Sequence, residues 1–154
     1  MTMLGHKDGD SYREGASYLE IADFLASRGA GIESDLQELW TRIAFNIMIS
    51  NTDDHLRNHG FLMVDKGWIL SPAFDINPDE GGTGLSLNIS LNDNALDLDL
   101  ALEVIEFFRM DRDSGVKIIE RLKESVSRWR RVADRYNLPR SEQKRMAKVF
   151  DRFI

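Results

Sequence analysis

The chain has no cysteine among its 154 residues. That excludes a disulfide framework, thiolate zinc ligation and a thiol nucleophile, and it favours a reducing compartment. No run approaches the roughly 20 apolar residues of a membrane helix, and no apolar signal segment follows Met1. A soluble, cytoplasmic protein that makes no membrane contact is the expectation. Internal repeats and low-complexity tracts are absent as well. Net positive charge is also lacking: 20 Lys and Arg stand against 26 Asp and Glu, and the resulting −6 argues against generic nucleic-acid binding. What is present is enough apolar material, 42% of the residues, to build one core and exclude wholesale disorder. The length fits one domain.

Charge is unevenly distributed. Arg109 to Arg152 holds 14 Lys and Arg against 7 Asp and Glu, a surplus of +7, whereas the remainder holds 6 against 19, or −13. A basic C-terminal face suits an acidic partner, tRNA or DNA. Solvated faces of amphipathic helices are the commoner origin of such runs. Trp129 and Tyr136 fall at helical core spacing, which favours that plainer origin.

Residues 1–15 are polar and punctuated by Gly5, Gly9 and Gly15, and they read as a loop. Leu19, Ile21, Ala22, Phe24 and Leu25 predict a short helix over Tyr18 to Arg28, ended by Gly29 and Gly31. The next helix has the strongest pattern. Leu36, Leu39, Trp40, Ile43, Ala44, Ile47 and Met48 recur at i, i+3, i+4, with Ser34 and Gln37 at capping-box spacing, and the helix runs to about Ser50. Periodicity then stops in a dense polar stretch from Asn51 to Gly60. Phe61–Val64 and Trp68–Leu70 flank Asp65-Lys66-Gly67 as a hairpin. Asp79 to Gly84 reads as a flexible glycine-rich loop and Leu85 to Leu91 as a third short strand. Helices are expected over Leu98–Met110, Asp113–Tyr136 and Ser141–Phe153, with Asp113 and Ser141 as N-caps and Pro139 between the last two. Trp40, Trp68 and Phe74 are assigned to the core. The fold class is mainly α, with a small hairpin near the middle.

The chemistry concentrates where the periodicity breaks. Asp53 and Asn58 are spaced D-x-x-x-x-N, as in the protein-kinase catalytic loop. There the Asp accepts a proton from the attacking hydroxyl, and the Asn offers Mg²⁺ a neutral oxygen that does not repel a triphosphate. A hairpin reverses the chain and returns Phe74-Asp75-Ile76 to the neighbourhood of Asn58. Asp75 is then the second Mg²⁺ ligand, in a hard-oxygen set that suits Mg²⁺ better than zinc. Each residue also has a local reading: Asp53 and Asp54 as helix-terminating turn residues, Asn58 as a turn cap. His55 and His59 are four apart, but Gly60 and the polar density argue against the helix that would pair them on one metal. His55 is expected to hold the loop by hydrogen bonds, and Arg57 to pair with Asp54 or with phosphate.

At these residues a family resemblance enters. Phe45-Asn46-Ile47, followed by Asn51-Thr52-Asp53-Asp54-His55-Leu56-Arg57-Asn58-His59-Gly60-Phe61, resembles the catalytic-loop signature of HipA-type serine/threonine kinases. Leu70-Ser71-Pro72-Ala73-Phe74-Asp75-Ile76 is similar to that family's metal-binding segment. The Ser17–Ile21 helix start and the downstream helices are similar to its C-terminal lobe, so the resemblance spans nearly the whole chain. It implies a helical kinase C-lobe around a hairpin that carries the catalytic and metal loop. Asp53 would be the catalytic base, Asn58 and Asp75 the Mg²⁺ ligands, and Asp54, His55, Arg57 and His59 the supporting loop. It further implies ATP and Mg²⁺ as cofactors and a toxin of a toxin–antitoxin pair as the biological role. The implied partners are a helix-turn-helix antitoxin, which brings operator DNA only indirectly, and a protein substrate such as an aminoacyl-tRNA synthetase.

Family members also carry an N-terminal lobe with the ATP lysine and a phosphate-binding loop. No glycine-rich phosphate loop in a strand context appears here. Lys7, set among glycines, is the only lysine before the catalytic loop. Residues 1–16 are therefore expected to be the stump of a missing lobe and 17–154 the C-terminal lobe. An excised domain, a truncated product or half of a split kinase would each fit. Weak ATP and Mg²⁺ binding and negligible turnover follow for the chain alone, because the missing parts supply positioning and charge neutralisation. Two other readings compete. One is a non-enzymatic binding module for an antitoxin, DNA or another protein. The other is a metal-dependent phosphohydrolase using Asp53, Asp54, His55 and His59, which predicts tight transition-metal binding without nucleotide.

Overall fold

The computed structural model describes residues 2–154. Helix α1 (Tyr18–Arg28) and helix α2 (Ile32–Met48) pack on each other, and a two-stranded antiparallel hairpin, β1 (Phe61–Val64) and β2 (Gly67–Leu70), lies against both. Four helices follow: α3 (Leu98–Glu103), α4 (Arg112–Ser127), α5 (Trp129–Arg135) and α6 (Arg140–Phe150). The fold is mainly α with a small hairpin, as the periodicity predicts.

Helix α2 is the centre of the core because its apolar stripe faces neighbours along its whole length. Leu36, Leu39, Trp40, Ile43, Ala44 and Ile47 are fully buried. The Trp40 indole N–H donates to the Ala101 carbonyl at 2.9 Å, which fixes α3 across α2. Burying an aromatic of this size while satisfying its N–H contributes about 3–5 kcal/mol, the usual cost of truncating one. Two charged residues of α2 reach the end of the hairpin. Asp35 accepts from the Leu70 N–H at 3.0 Å, and buried Arg42 donates to the Ser71 carbonyl at 2.7 Å. The chain leaving β2 is thereby tied to the core helix.

Several local expectations need correction. Ser34 does not cap α2 with Gln37. Gly31 is the N-cap, and the Ser34 hydroxyl donates to the Gly31 carbonyl at 2.9 Å within the first turn. Leu85 to Leu91 is no strand: buried Leu85, Leu87 and Ile89 alternate, but their segment's hydrogen bonds scatter to Asn94, Ala16 and Asp93 rather than to one neighbouring ladder. The helix expected from Leu98 stops at Glu103 and continues as a 3-10 turn over Ile105–Phe108. The next one breaks at Arg128, which lets α5 turn so that Trp129 and Arg130 both donate to Asp151 at the end of α6, at 3.0 and 2.8 Å. Asp111 caps α4 through the Ser114 N–H at 2.7 Å, not Asp113, and Pro139 precedes α6, not Ser141. Tyr136 and Phe74 are exposed, and Trp68 and Trp129 only half-buried, so the core holds Trp40 alone of these.

Residues 2–14 carry two 3-10 turns and fold back onto the lobe. Tyr12 donates its N–H to the Ser86 carbonyl at 2.7 Å and accepts from the Asn88 side chain at 3.0 Å. Much of the basic surplus of the last third is engaged at the surface. Lys123 pairs with Glu120, Arg128 with Glu124, Arg140 with Asp134 and Arg145 with Glu142 and Glu80, the pattern of solvated helix faces.

Candidate functional site

The loop that carries Asp53 begins at a defined helix end. The Ser50 N–H donates to the Ile47 carbonyl at 3.2 Å and the Asn51 N–H to the Asn46 carbonyl at 2.8 Å. With Ser50 left-handed at φ 52°, this is a Schellman end built on serine instead of glycine. The Asp79–Gly84 segment, expected to be flexible, is pinned against it. Thr52 donates to the Asp79 carboxylate at 2.8 Å, and the Asp79 N–H donates to the Ser50 carbonyl at 2.9 Å. The Ser86 hydroxyl donates to the Thr52 carbonyl at 2.8 Å.

Asp54 then turns inward. It is buried, and its Oδ2 accepts from the Tyr18 hydroxyl at 2.6 Å and from the Asn46 amide at 2.7 Å, with His59 Nε2 at 3.1 Å. A carboxylate only accepts, so His59 donates from Nε2. Tyr18 also meets the His59 ring edge to face, with centroids 5.7 Å apart. Burial, and then the Asp54 carboxylate, push the Tyr18 hydroxyl well above the usual tyrosine range, so it stays a donor. Asn51 extends the network by donating to Asn46 Oδ1 at 3.1 Å.

Asp53, one residue earlier, is exposed. One short 3-10 turn later comes Asn58, buried, whose amide nitrogen lies 3.3 Å from the Asp75 carboxylate and 3.4 Å from the Asp75 carbonyl. The hairpin therefore returns Asp75 to Asn58, as the chain reversal predicts. Asp75 is left-handed at φ 55°, a conformation that Asp tolerates at some cost and that clusters at functional sites. Its second carboxylate oxygen accepts from Asn77 at 2.8 Å.

Three buried side-chain atoms lack a hydrogen-bond partner among the described residues: His55 Nδ1, Asn58 Oδ1 and His59 Nδ1. All lie in this loop. Buried polar atoms are rarely left unsatisfied, and Asn58 Oδ1 is a neutral hard-oxygen donor of the kind Mg²⁺ takes. As placed, the Asn58 amide nitrogen faces the Asp75 carboxylate; exchanging its oxygen and nitrogen would turn Oδ1 toward Asp75, and the two residues would then suit a divalent cation.

Two expectations for the supporting loop change. Arg57 pairs with neither Asp54 nor a group of the loop: it forms an ion pair with Asp8, which the folded-back N-terminal segment brings to it. His55 does not hold the loop through Nδ1, which is unpartnered; its backbone carbonyl does, accepting from the Asn58 N–H at 2.8 Å. Among the described residues no three His, Asp or Glu side chains gather as a metal cluster, so the Asp53, Asp54, His55 and His59 arrangement is not assembled. The sequence assigns no role to Tyr18 or Asp8, and it carries Asn46 only within the Phe45-Asn46-Ile47 motif. Asn46 left a signal, being a polar residue on the apolar stripe of α2 between Ile43 and Ile47. Asp8 leaves none, and Tyr18 stands only within the Ser17–Ile21 helix start.

A buried helix thus ends in a D-x-x-x-x-N loop, and a hairpin returns an Asp to the Asn. The family model described as the HipA-like C-terminal domain matches residues 1–152, and the chain belongs to this family. Among solved structures it is similar to HipA of Shewanella oneidensis MR-1, described as a toxin–antitoxin system of HipA, HipB and its operator DNA. The TM-score is 0.66 at 14% identity, over 99% of this chain and 36% of that one. The chain thus spans about a third of that relative's length. Comparison with curated proteins gives no match. No helix among the described residues is long and apolar enough to cross a membrane.

Proposed function

We propose that this chain is the helical lobe of an ATP- and Mg²⁺-dependent serine/threonine protein kinase, the toxin of a toxin–antitoxin pair, and that it has little activity alone. The observation that carries the reading is the approach of Asp75 to Asn58 beside an exposed Asp53. Asp53 accepts the proton of a substrate hydroxyl, and Asn58 and Asp75 would hold Mg²⁺. When bound, the ion would neutralise charge on the transferring phosphates. Arg57, exposed and paired only at the surface, can exchange Asp8 for phosphate. Lys7 does not serve as the ATP lysine, since it is exposed on a turn where its backbone N–H donates to Asp10 at 2.9 Å. A separate lobe, in cis or as a subunit, supplies those parts. The solved relative was determined with HipB and operator DNA, which supports a DNA-binding antitoxin as partner here. The target is a protein hydroxyl, an aminoacyl-tRNA synthetase among the candidates.

The test is phosphate transfer from labelled ATP by this chain alone and by the chain joined to its upstream lobe. Transfer only in the joined protein, abolished by Asp53→Asn, is expected. Robust transfer by the chain alone would overturn its inactivity, and none from the joined protein would overturn the kinase reading. A binding-module reading is favoured by one feature. An apolar groove of about 490 Å³ between α4, α5 and α6 is lined by Trp129, Val132, Leu138, Met146 and Phe150.

A further inference from the structure

Asp54 is buried one residue after the exposed Asp53, and one oxygen of its carboxylate collects donors from three separate parts of the chain. Tyr18 comes from the first turn of α1, Asn46 from the last turn of α2, and His59 from the far side of the loop. The separations along the chain are 36, 8 and 5 residues. We propose that Asp54 is the positioning residue of this site, setting where Asp53 and Asn58 stand relative to Asp75; the inference rests on the kinase reading above.

The geometry supports this in two ways. The loop has little regular structure to hold it: one 3-10 turn over Leu56–Asn58, with the Asn58 and His59 N–H groups bonded to His55 and Leu56 at 2.8 and 3.3 Å. What closes it is the pair of anchors at its ends, Asp54 and His59, which meet each other. Asn58 is the residue just before His59, so its side chain is placed by that closure. The three donors also differ in what they fix. Tyr18 and Asn46 hold Asp54 to the core, and Asp54 in turn holds His59. Loss of Tyr18 loosens the anchor, whereas loss of the Asp54 charge releases the far end of the loop. Groups that orient metal ligands from behind typically control affinity by 10–100-fold.

The experiment uses Mn²⁺ as a paramagnetic probe of the full chain, read as broadening of the Asn58 side-chain amide signals. Asp54→Asn is expected to weaken Mn²⁺ binding about tenfold, and Tyr18→Phe, a near-isosteric change that keeps the buried ring, by a smaller factor in the same direction. Ile119→Val, a core change in α4 remote from the loop, lowers stability without changing Mn²⁺ affinity. Wild-type affinity in both loop variants would overturn the proposal and leave Asp54 a purely structural residue. If wild-type protein shows no broadening, the metal reading fails instead, and hydrogen exchange decides the positioning role. Faster exchange of the Asn58 and His59 amides in Tyr18→Phe, with α4 unchanged, supports it. Unchanged loop exchange overturns it.

Discussion

Asn58 directs its side-chain amide at the Asp75 carboxylate across 17 residues of intervening chain, 3.3 Å away. The two meet because Arg42 and Asp35 of α2 hold the end of the hairpin to the helix that launches the loop. The outgoing end of the hairpin is thus tied to the same rigid element that launches the loop, which is how precise sites are built. Asn58→Ala and Asp75→Asn should each weaken Mg²⁺ binding by at least about tenfold, as expected when oxygen donors are removed from a small hard-cation site. Asp53→Asn should leave Mg²⁺ affinity nearly unchanged, because Asp53 stands outside the pair. Calorimetric titration of the three variants tests whether Asn58 and Asp75, and not Asp53, are the proposed ligands. Equal losses in all three would contradict the assignment.

The loop preceding α3 is held more firmly than its composition suggests. Gly82 packs on Thr52, where an added Cβ would fall 2.2 Å from Oγ1 and 2.6 Å from Cβ of the threonine. Thr52 is fixed by its bond to Asp79 and adjoins Asp53, so neither side can yield freely. Gly82→Ala should cost about 1–3 kcal/mol in urea denaturation, the range of overpacking changes. Gly81→Ala, whose nearest neighbour would be 3.6 Å away, is the control and should stay within about 0.5 kcal/mol. Equal effects at the two glycines would mean that the contact with Thr52 is unimportant.

Local pattern and side-chain pairing differed in how legible they were. The stripe Leu36 to Met48 announced α2, and the hairpin with its acidic return announced that Asp75 comes back to Asn58, because periodicity and chain reversal are properties of short segments. The alternation of Leu85, Leu87 and Ile89 misled for the same reason: it reports burial on one side, and here the backbone bonds that would make a strand go to scattered partners. Arg57 pairs with Asp8 from 49 residues away, and Tyr18 reaches Asp54 from 36. No spacing rule encodes such contacts, since they exist only after α1 has packed. Phe74 reads as a core residue in the sequence. It is about half exposed, on a stretch after β2 that has no regular structure.

The N-terminal segment is fastened by a titratable clasp. His6 sits with Nδ1 3.0 Å from Asp10 and Nε2 2.9 Å from Glu20, which also accepts the Ser17 N–H at the start of α1. The hydrogen bond with Glu20, and secondarily that with Asp10, hold the His6 pKa above 6.5 against the opposing effect of burial. Asp10 is held below 3.8, first by the Lys7 N–H and then by His6. A raised histidine pKa stabilises the fold fully below 6.5 and ceases to do so as pH rises through the folded value. A lowered Asp pKa stabilises it above 3.8 and is lost as pH falls through the folded value. The clasp should therefore be strongest between about pH 4 and 6.5 and release on the alkaline side. The stability difference between wild type and His6→Gln, followed by thermal melts from acid to alkaline pH, should be largest in that window and shrink above it. The same release should speed amide exchange at Gly15 and Ala16, whose N–H groups close the turn before α1 by donating to Tyr12 and Ser11 at 3.2 and 3.0 Å. A difference that stays constant across the range would show that His6 acts through packing and not through its charge.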